Sequence, residues 1–166
     1  PTGETGEIFM SWGPNKPKVT YKNITPLACD EHGFRSVGDI GYVDNEGYLY
    51  FQDRRSDMIV TGGENVFAAE IESVLKKHKK VNDAVVVGLP DKEWGHRIHA
   101  FVETTEPVSD KVLIKFALNY LPPYKIPKSF EHIDHIPRNE SGKVVRSQMV
   151  EDYLKRHADT CSSPNT

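Results

Sequence analysis

The spacing of apolar residues changes once along the chain, near Asp57, and that change limits what the 166 residues can fold into. Before it, short alternating segments are punctuated by glycine: "GFRSVGDIGYVD" and "GYLYFQDR" flank "DNEG", Asp44 to Gly47. Asp, Asn and Gly tolerate the backbone angles of a tight turn, so this reads as a β ribbon. A shorter strand is expected from Glu7 to Ser11. After the change, "AAEIESVLKKH" sets Ile71, Val74, Leu75 and His78 at helical spacing with polar residues opposite. "DAVVVGLPD" and "HRIHAFVET" read as β-branched strands joined through "KEWG". "SDKVLIKFALNYL" reads as a second helix, opened by Ser109 and stopped at Pro122; "SFEHIDHI" returns as a strand, and a third amphipathic helix is expected from about Ser147 to His157. Helices covering a small sheet make the second part an α+β unit of about 100 residues, enough for a modest core of its own. The polar end "DTCSSPNT" is expected to be disordered, and there are no internal repeats.

Composition narrows the function classes. A 37% hydrophobic and 27% charged content suits one ordinary soluble domain, or one domain plus part of another. Net charge is −3, and the one dense basic run, "KKHKK", falls where a helix ends and cations favour the carbonyl terminus. A nucleic-acid face needs a broader basic stripe or a recognisable module, so nucleic acid is not expected as a partner. Cys29 and Cys161 are too far apart for a zinc knuckle and do not make a disulfide framework, so a reducing, cytoplasmic setting is expected. The pairs His96/His99 and His132/His135 lie in strand-like stretches, where a spacing of three points them to opposite faces, and no metal site is expected. No apolar run approaches the ~20 residues of a membrane span. The opening "PTGETGEIFM" lacks an initiator methionine and enters at once a turn and a strand, so the chain is expected to be cut from something longer.

The densest chemistry lies at the change of period. Asp39 lies between two glycines and Arg54 follows Asp53 near a strand end. A carboxylate acceptor and a forked donor of this kind can grip a sugar diol, or simply pair with each other across a hairpin. "TGGEN", Thr61 to Asn65, lets backbone approach a neighbour closely because glycine has no side chain. Near the end, "IPRNESGKVVR" puts Lys143 after a Ser-Gly turn. A phosphate loop would need glycine where Pro137 stands and a hydroxyl where Val144 stands, so that motif is excluded. Read locally, Lys143 is an exposed hairpin lysine.

Taken as an ordered set, "FRSVGD", "DRRSDMIVTGGENVFAAEIE", "LPPYKIP" and "PRNESGK" resemble the C-terminal third of the adenylate-forming enzymes, the superfamily of acyl-CoA synthetases, luciferases and peptide-synthetase adenylation domains. The resemblance covers nearly the whole chain. It implies a trailing β subdomain of the large AMP-binding domain at residues 1–55, a mobile C-terminal lid at 56–157 and a tail at 158–166. Asp39 matches the aspartate on the ribose hydroxyls of ATP or AMP, Arg54 the arginine that joins it, and Phe51 the adenine side of the pocket. Ser56 falls at the hinge, where relatives more often carry Asp or Lys. Gly62, Gly63 and Glu64 match the loop bordering the tunnel for the pantetheine arm of coenzyme A, and Val60 stands where some relatives are basic. Lys143 matches the lysine that reaches the acyl carboxylate and the α-phosphate.

The implied activity is AMP-forming acid–CoA ligation of a fatty, aromatic or steroid-type acid, with ATP, Mg²⁺ held mainly by the missing large domain, and coenzyme A as cosubstrate. The fragment alone is not expected to be active. The alternatives are an adenylation module that loads a carrier protein or other acceptor, and a non-catalytic binding module. Retention of Asp39, Arg54 and Lys143 together weighs against the last.

Overall fold

A computed structural model describes residues 2–11, 13 and 28–158. Contacts divide the chain into two units, Pro1–Met58 and Ile59–Thr166.

The first unit holds a three-stranded antiparallel sheet, β1 (Gly6–Met10), β2 (Arg35–Val43) and β3 (Leu49–Arg54), in that order. The β2–β3 hairpin is set by its turn. The Asp44 carboxylate accepts the N–H groups of Glu46 and Tyr48, both at 2.9 Å, and these bonds hold its pKa below the usual range, the Tyr48 bond most of all. The resulting register faces Asp39 with Arg54 and Ile40 with Asp53, then slips by a bulge before pairing Gly41 with Phe51. A 3₁₀ turn, Arg55–Asp57, ends the unit.

The second unit begins with a two-stranded ladder, β4 (Met58–Thr61) and β5 (Glu64–Phe67), and runs directly into α1 (Ala68–Leu75). Its main sheet has the order β6 (Val81–Asp91), β7 (Gly95–Thr104) and β8 (Ser129–His132). β6 and β7 are antiparallel, and β8 joins parallel to β7. α2 (Asp110–Ala117) supplies the crossover and α3 (Arg146–Ala158) closes the described chain.

Alternation along β6 and β7 explains why both strands read as near-continuous apolar runs. Ala84, Val86, Ile98, Ala100 and Val102 face a core with Ile71 and Leu75 of α1 and Leu113 and Ala117 of α2. Val85, Val87, Leu89 and Phe101 point to the opposite face, where Met149 and Tyr153 of α3 cover them with Ile136. A sheet covered on both sides leaves no polar face to alternate with. Burying a side chain such as Leu75 contributes about 2 kcal/mol, so the two layers hold the unit together. Glu72 of α1, buried against the sheet, accepts the Val86 N–H at 2.8 Å and pairs with Arg146 of α3 at 2.7 Å, tying both helices to the edge of β6.

The α+β class holds, while several element ends differ from the sequence reading. α1 stops at Leu75 rather than His78, because Lys77 and His78 donate to carbonyls three residues back and tighten the last turn. α2 gives way in the same manner after Ala117, well before Pro122. Ser109 is its N-cap, yet it caps through its backbone carbonyl, with no side-chain bond. β8 ends at His132, four residues short of Ile136. Ala158 is the last residue of α3; residues 159–166, with Cys161, lie outside the described part. No helix among the described residues is long and apolar enough to cross a membrane, which does not bear on strands.

Candidate functional site

The residues singled out by the sequence fall in both units. In the first, β2–β3 pairing brings Asp39 and Arg54 together, with Arg54 Nε 3.7 Å from Asp39 Oδ1. Their side chains are 64% and 29% exposed for Arg54 and Asp39 respectively, and ion pairs so wet contribute little to stability, about 0–1 kcal/mol. The pair is therefore available to a ligand at small cost. Arg54 is steadied through its own backbone, whose N–H donates to Asp53 Oδ1 at 2.8 Å. Phe51, on the same strand, leaves its ring 57% exposed, a large apolar face without cover inside its unit. Ser56 sits in the middle of the 3₁₀ turn, exposed, with its hydroxyl donating to Asp57 at 3.0 Å.

In the second unit, Gly62 and Gly63 make the turn between β4 and β5, and Glu64 opens β5 at an exposed position. Both glycines adopt positive φ, +57° and +85°. Gly62 also lies against the indole of Trp94: a Cβ there would stand 2.7 Å from Trp94 Cε3, and the Gly62 N–H donates to the Trp94 carbonyl at 3.0 Å. Only glycine meets both demands. Trp94 is in turn fixed by Asp91, whose carboxylate accepts the N–H groups of Trp94 at 3.0 Å and Glu93 at 2.9 Å. Those bonds, the Trp94 one first, keep the Asp91 carboxyl below its usual pKa. The indole stays 47% exposed, and Lys128 Nζ stands 5.9 Å from its ring centre. In the sequence "KEWG" reads as the connection between two strands, and neither Trp94 nor Lys128 carries a role of its own there. An exposed tryptophan inside a turn was the available signal.

Lys143 stands on another connection, between β8 and α3. Arg138 and Val144 form an antiparallel bridge, and residues 139–143 close a turn inside it. Gly142, at φ +74°, makes the reversal. The Lys143 side chain is exposed and has no ion-pair partner among the described residues. Arg138 donates to the Gly142 carbonyl at 3.0 Å and pairs with Asp83 of β6, so the turn is anchored to the main sheet.

His96 and His99 separate on β7 as expected, His96 exposed and His99 buried and hydrogen-bonded to Ser129 at 2.7 Å, whereas His135 lies beyond the end of β8 and is not in the strand expected for it. His132 meets Asp110 at 2.9 Å and His135 lies 3.6 Å from Glu103. Among the described residues no group of three or more His, Cys, Asp or Glu side chains is placed to hold a metal ion.

Residues 70–143 match the model of the AMP-binding enzyme C-terminal domain. The chain belongs to the adenylate-forming superfamily. It is 44% identical over 147 residues to 2-succinylbenzoate–CoA ligase of Bacillus subtilis, covering 88% of this chain and 30% of that protein. It is 39% identical over 164 residues to a fatty acid–acyl-carrier-protein ligase (ScoC) of Streptomyces coeruleorubidus, covering 92% and 30%. Among solved structures, o-succinylbenzoate CoA synthetase from Bacillus subtilis, in complex with the acyl-adenylate intermediate OSB-AMP, superposes with a TM-score of 0.80 at 44% identity, covering 90% of this chain and 31% of that one. The chain thus spans about a third of the length of the relatives it matches.

Proposed function

We propose that this chain is the C-terminal part of an AMP-forming acid–CoA ligase, which joins a carboxylic acid to ATP as an acyl-adenylate and then transfers the acyl group to the thiol of coenzyme A. The observation that carries the reading is the presentation of Lys143: an exposed ammonium without an ion-pair partner among the described residues, on a turn tied to a rigid sheet.

Attack of a carboxylate on the α-phosphorus gathers negative charge on the phosphoryl oxygens. An ammonium brought there stabilises that charge where it develops. A turn on a mobile lid can deliver it for the first step and withdraw it for the second, with Ser56 as the hinge and residues 56–157 as the moving body. Asp39 and Arg54 offer an acceptor and a forked donor to the ribose hydroxyls, and the exposed Phe51 ring offers a face to adenine. Gly62, Gly63 and Glu64 border the path of the coenzyme A arm; the bare backbone at Gly63, which faces open space, leaves room for it, while Gly62 packs against Trp94. Mg²⁺ enters with ATP and is held by residues outside this chain. The acid-reading pocket also lies outside it. The names of the relatives favour an aromatic or fatty acid. The exposed Cys29 thiol suits a reducing, cytoplasmic setting.

A second reading, transfer of the acyl group to a carrier protein, is favoured by the similarity to the fatty acid–acyl-carrier-protein ligase. The common first step is tested with the complete gene product, ATP, Mg²⁺ and a panel of aromatic and fatty acids. Pyrophosphate release should fall at least ~100-fold in Lys143→Ala, the cost of one lost transition-state contact of about 3 kcal/mol. A near-normal rate in that variant contradicts the assignment.

A further inference from the structure

We propose that Asn139 positions Lys143, fixing the direction of its side chain for the adenylation step. The inference rests on the role of Lys143 given above and adds a residue that the motif comparison left without one.

The geometry is that of a double clamp. The Asn139 side-chain oxygen accepts the N–H of Lys143 at 2.9 Å and the N–H of Ser141 at 3.0 Å. The Asn139 N–H donates to the Lys143 carbonyl at 2.9 Å, and its carbonyl accepts from Gly142 at 2.8 Å. Both backbone polar groups of Lys143 are therefore held by one residue, on either side of the Cα from which the ammonium is launched. An asparagine or aspartate that accepts the N–H two residues on is the ordinary way of closing such a turn, and here the same oxygen reaches a second N–H four residues on.

What lies outside the clamp carries it to the sheet. Arg138, next in the chain, donates to the Gly142 carbonyl from one guanidinium nitrogen and pairs with Asp83 of β6 through another. Asp83 is also 3.7 Å from Lys76 Nζ. Arg138 thus braces the turn at the Gly142 carbonyl, and among the described residues the Asn139 oxygen is the side-chain acceptor for the N–H groups of Ser141 and Lys143.

This arrangement does little for stability. The turn is exposed, so water replaces the two bonds if the oxygen is removed, and the net loss of an exposed hydrogen bond is small. It does much for aim, because a reacting group displaced by about 1 Å can lose up to ~100-fold in rate.

The experiment compares Asn139→Ala, Asn139→Asp and Lys143→Ala in the complete gene product, measuring acyl-adenylate formation and, separately, thioester formation from supplied acyl-adenylate and coenzyme A. Asn139→Ala should lower kcat of adenylation about 10- to 100-fold, leave KM for ATP within about threefold, and leave the thioester step and the melting temperature unchanged. Asn139→Asp, which keeps the acceptor oxygen, should recover most of the loss at an ionic strength that screens its added charge. Adenylation within threefold of normal in Asn139→Ala, while Lys143→Ala is at least ~100-fold slow, overturns the positioning role. Equal slowing of both steps with a lowered melting temperature overturns it too, since that is a folding defect. A normal rate in Lys143→Ala instead removes the reading beneath it.

Discussion

Acid should destabilise this chain through His99, beyond what its carboxylates contribute. Its ring is 1% exposed, packed between Phe101 at 4.7 Å and Tyr153 at 4.6 Å between ring centres. Nδ1 meets the Ser129 hydroxyl at 2.7 Å, while Nε2 is buried without a hydrogen-bond partner among the described residues. A proton added there would be enclosed without solvation, close to the positive charges of Arg97, His157 and Arg156. Burial first, and those charges second, lower the pKa from 6.5 to about 4. The unfolded chain takes up the proton near pH 6.5, so between pH 6.5 and 4 it holds more protons than the folded chain. Stability is therefore full above pH 6.5 and falls as the pH drops through this window. Each pKa unit is worth 1.36 kcal/mol, so the shift amounts to about 3 kcal/mol, most of it lost by pH 4.5.

Urea unfolding at pH 7 and pH 4.5, followed by circular dichroism, measures the fall. Carboxylates titrate over the same range, so the comparison is with His99→Phe, which removes the ionisable group and keeps the ring. The wild-type chain should lose about 2–3 kcal/mol more than the variant between the two pH values. An equal loss in both proteins, or a His99 titration centred near pH 6.5 by NMR, would refute the reasoning.

Two other substitutions test the remaining geometry. Gly62→Ala forces an L residue into φ +57° and drives a Cβ to 2.7 Å from the Trp94 ring. It should cost about 1–2 kcal/mol in chemical unfolding, and in the complete protein should slow the thioester step more than adenylation; equal slowing of the two would count against a coenzyme A role for this turn. Glu72→Ala leaves the buried Val86 N–H without its acceptor and removes one partner of Arg146, and should destabilise the second unit by about 1–3 kcal/mol, with Glu72→Gln losing less because it keeps an acceptor for Val86.

The main sheet was legible because its physics is local. Runs of β-branched residues along β6 and β7 have no choice but to bury both faces, and the break at "KEWG" marks the hairpin. Helix ends were less legible. Nothing in "SVLKKH" or "FALNYL" says that the last turns tighten to 3₁₀ bonding, which follows from where the next strand or turn must begin. The β2–β3 pairing of Asp39 with Arg54 was legible as a hairpin, although the bulge after Ile40 was not, since one extra residue in β3 leaves no mark in composition. Trp94 was passed over because its contact with Gly62 joins residues far apart in sequence. Asn139 lies within the "PRNESGK" motif, where the Ser-Gly pair is the visible turn signal. Turn chemistry resides in which oxygen reaches which N–H, and spacing alone does not reveal that.

The reading proposed above is that this chain acts in acid–CoA ligation together with the rest of a longer protein. The direct measurement is consumption of the free coenzyme A thiol with ATP, Mg²⁺ and a panel of aromatic and fatty acids, in the complete gene product and in this 166-residue chain side by side. Thiol loss dependent on one class of acid, in the complete protein and not in the chain alone, is the expected result. Acyl-adenylate formed without thiol loss would contradict coenzyme A as the acceptor, and neither product from any acid would contradict the ligase reading itself.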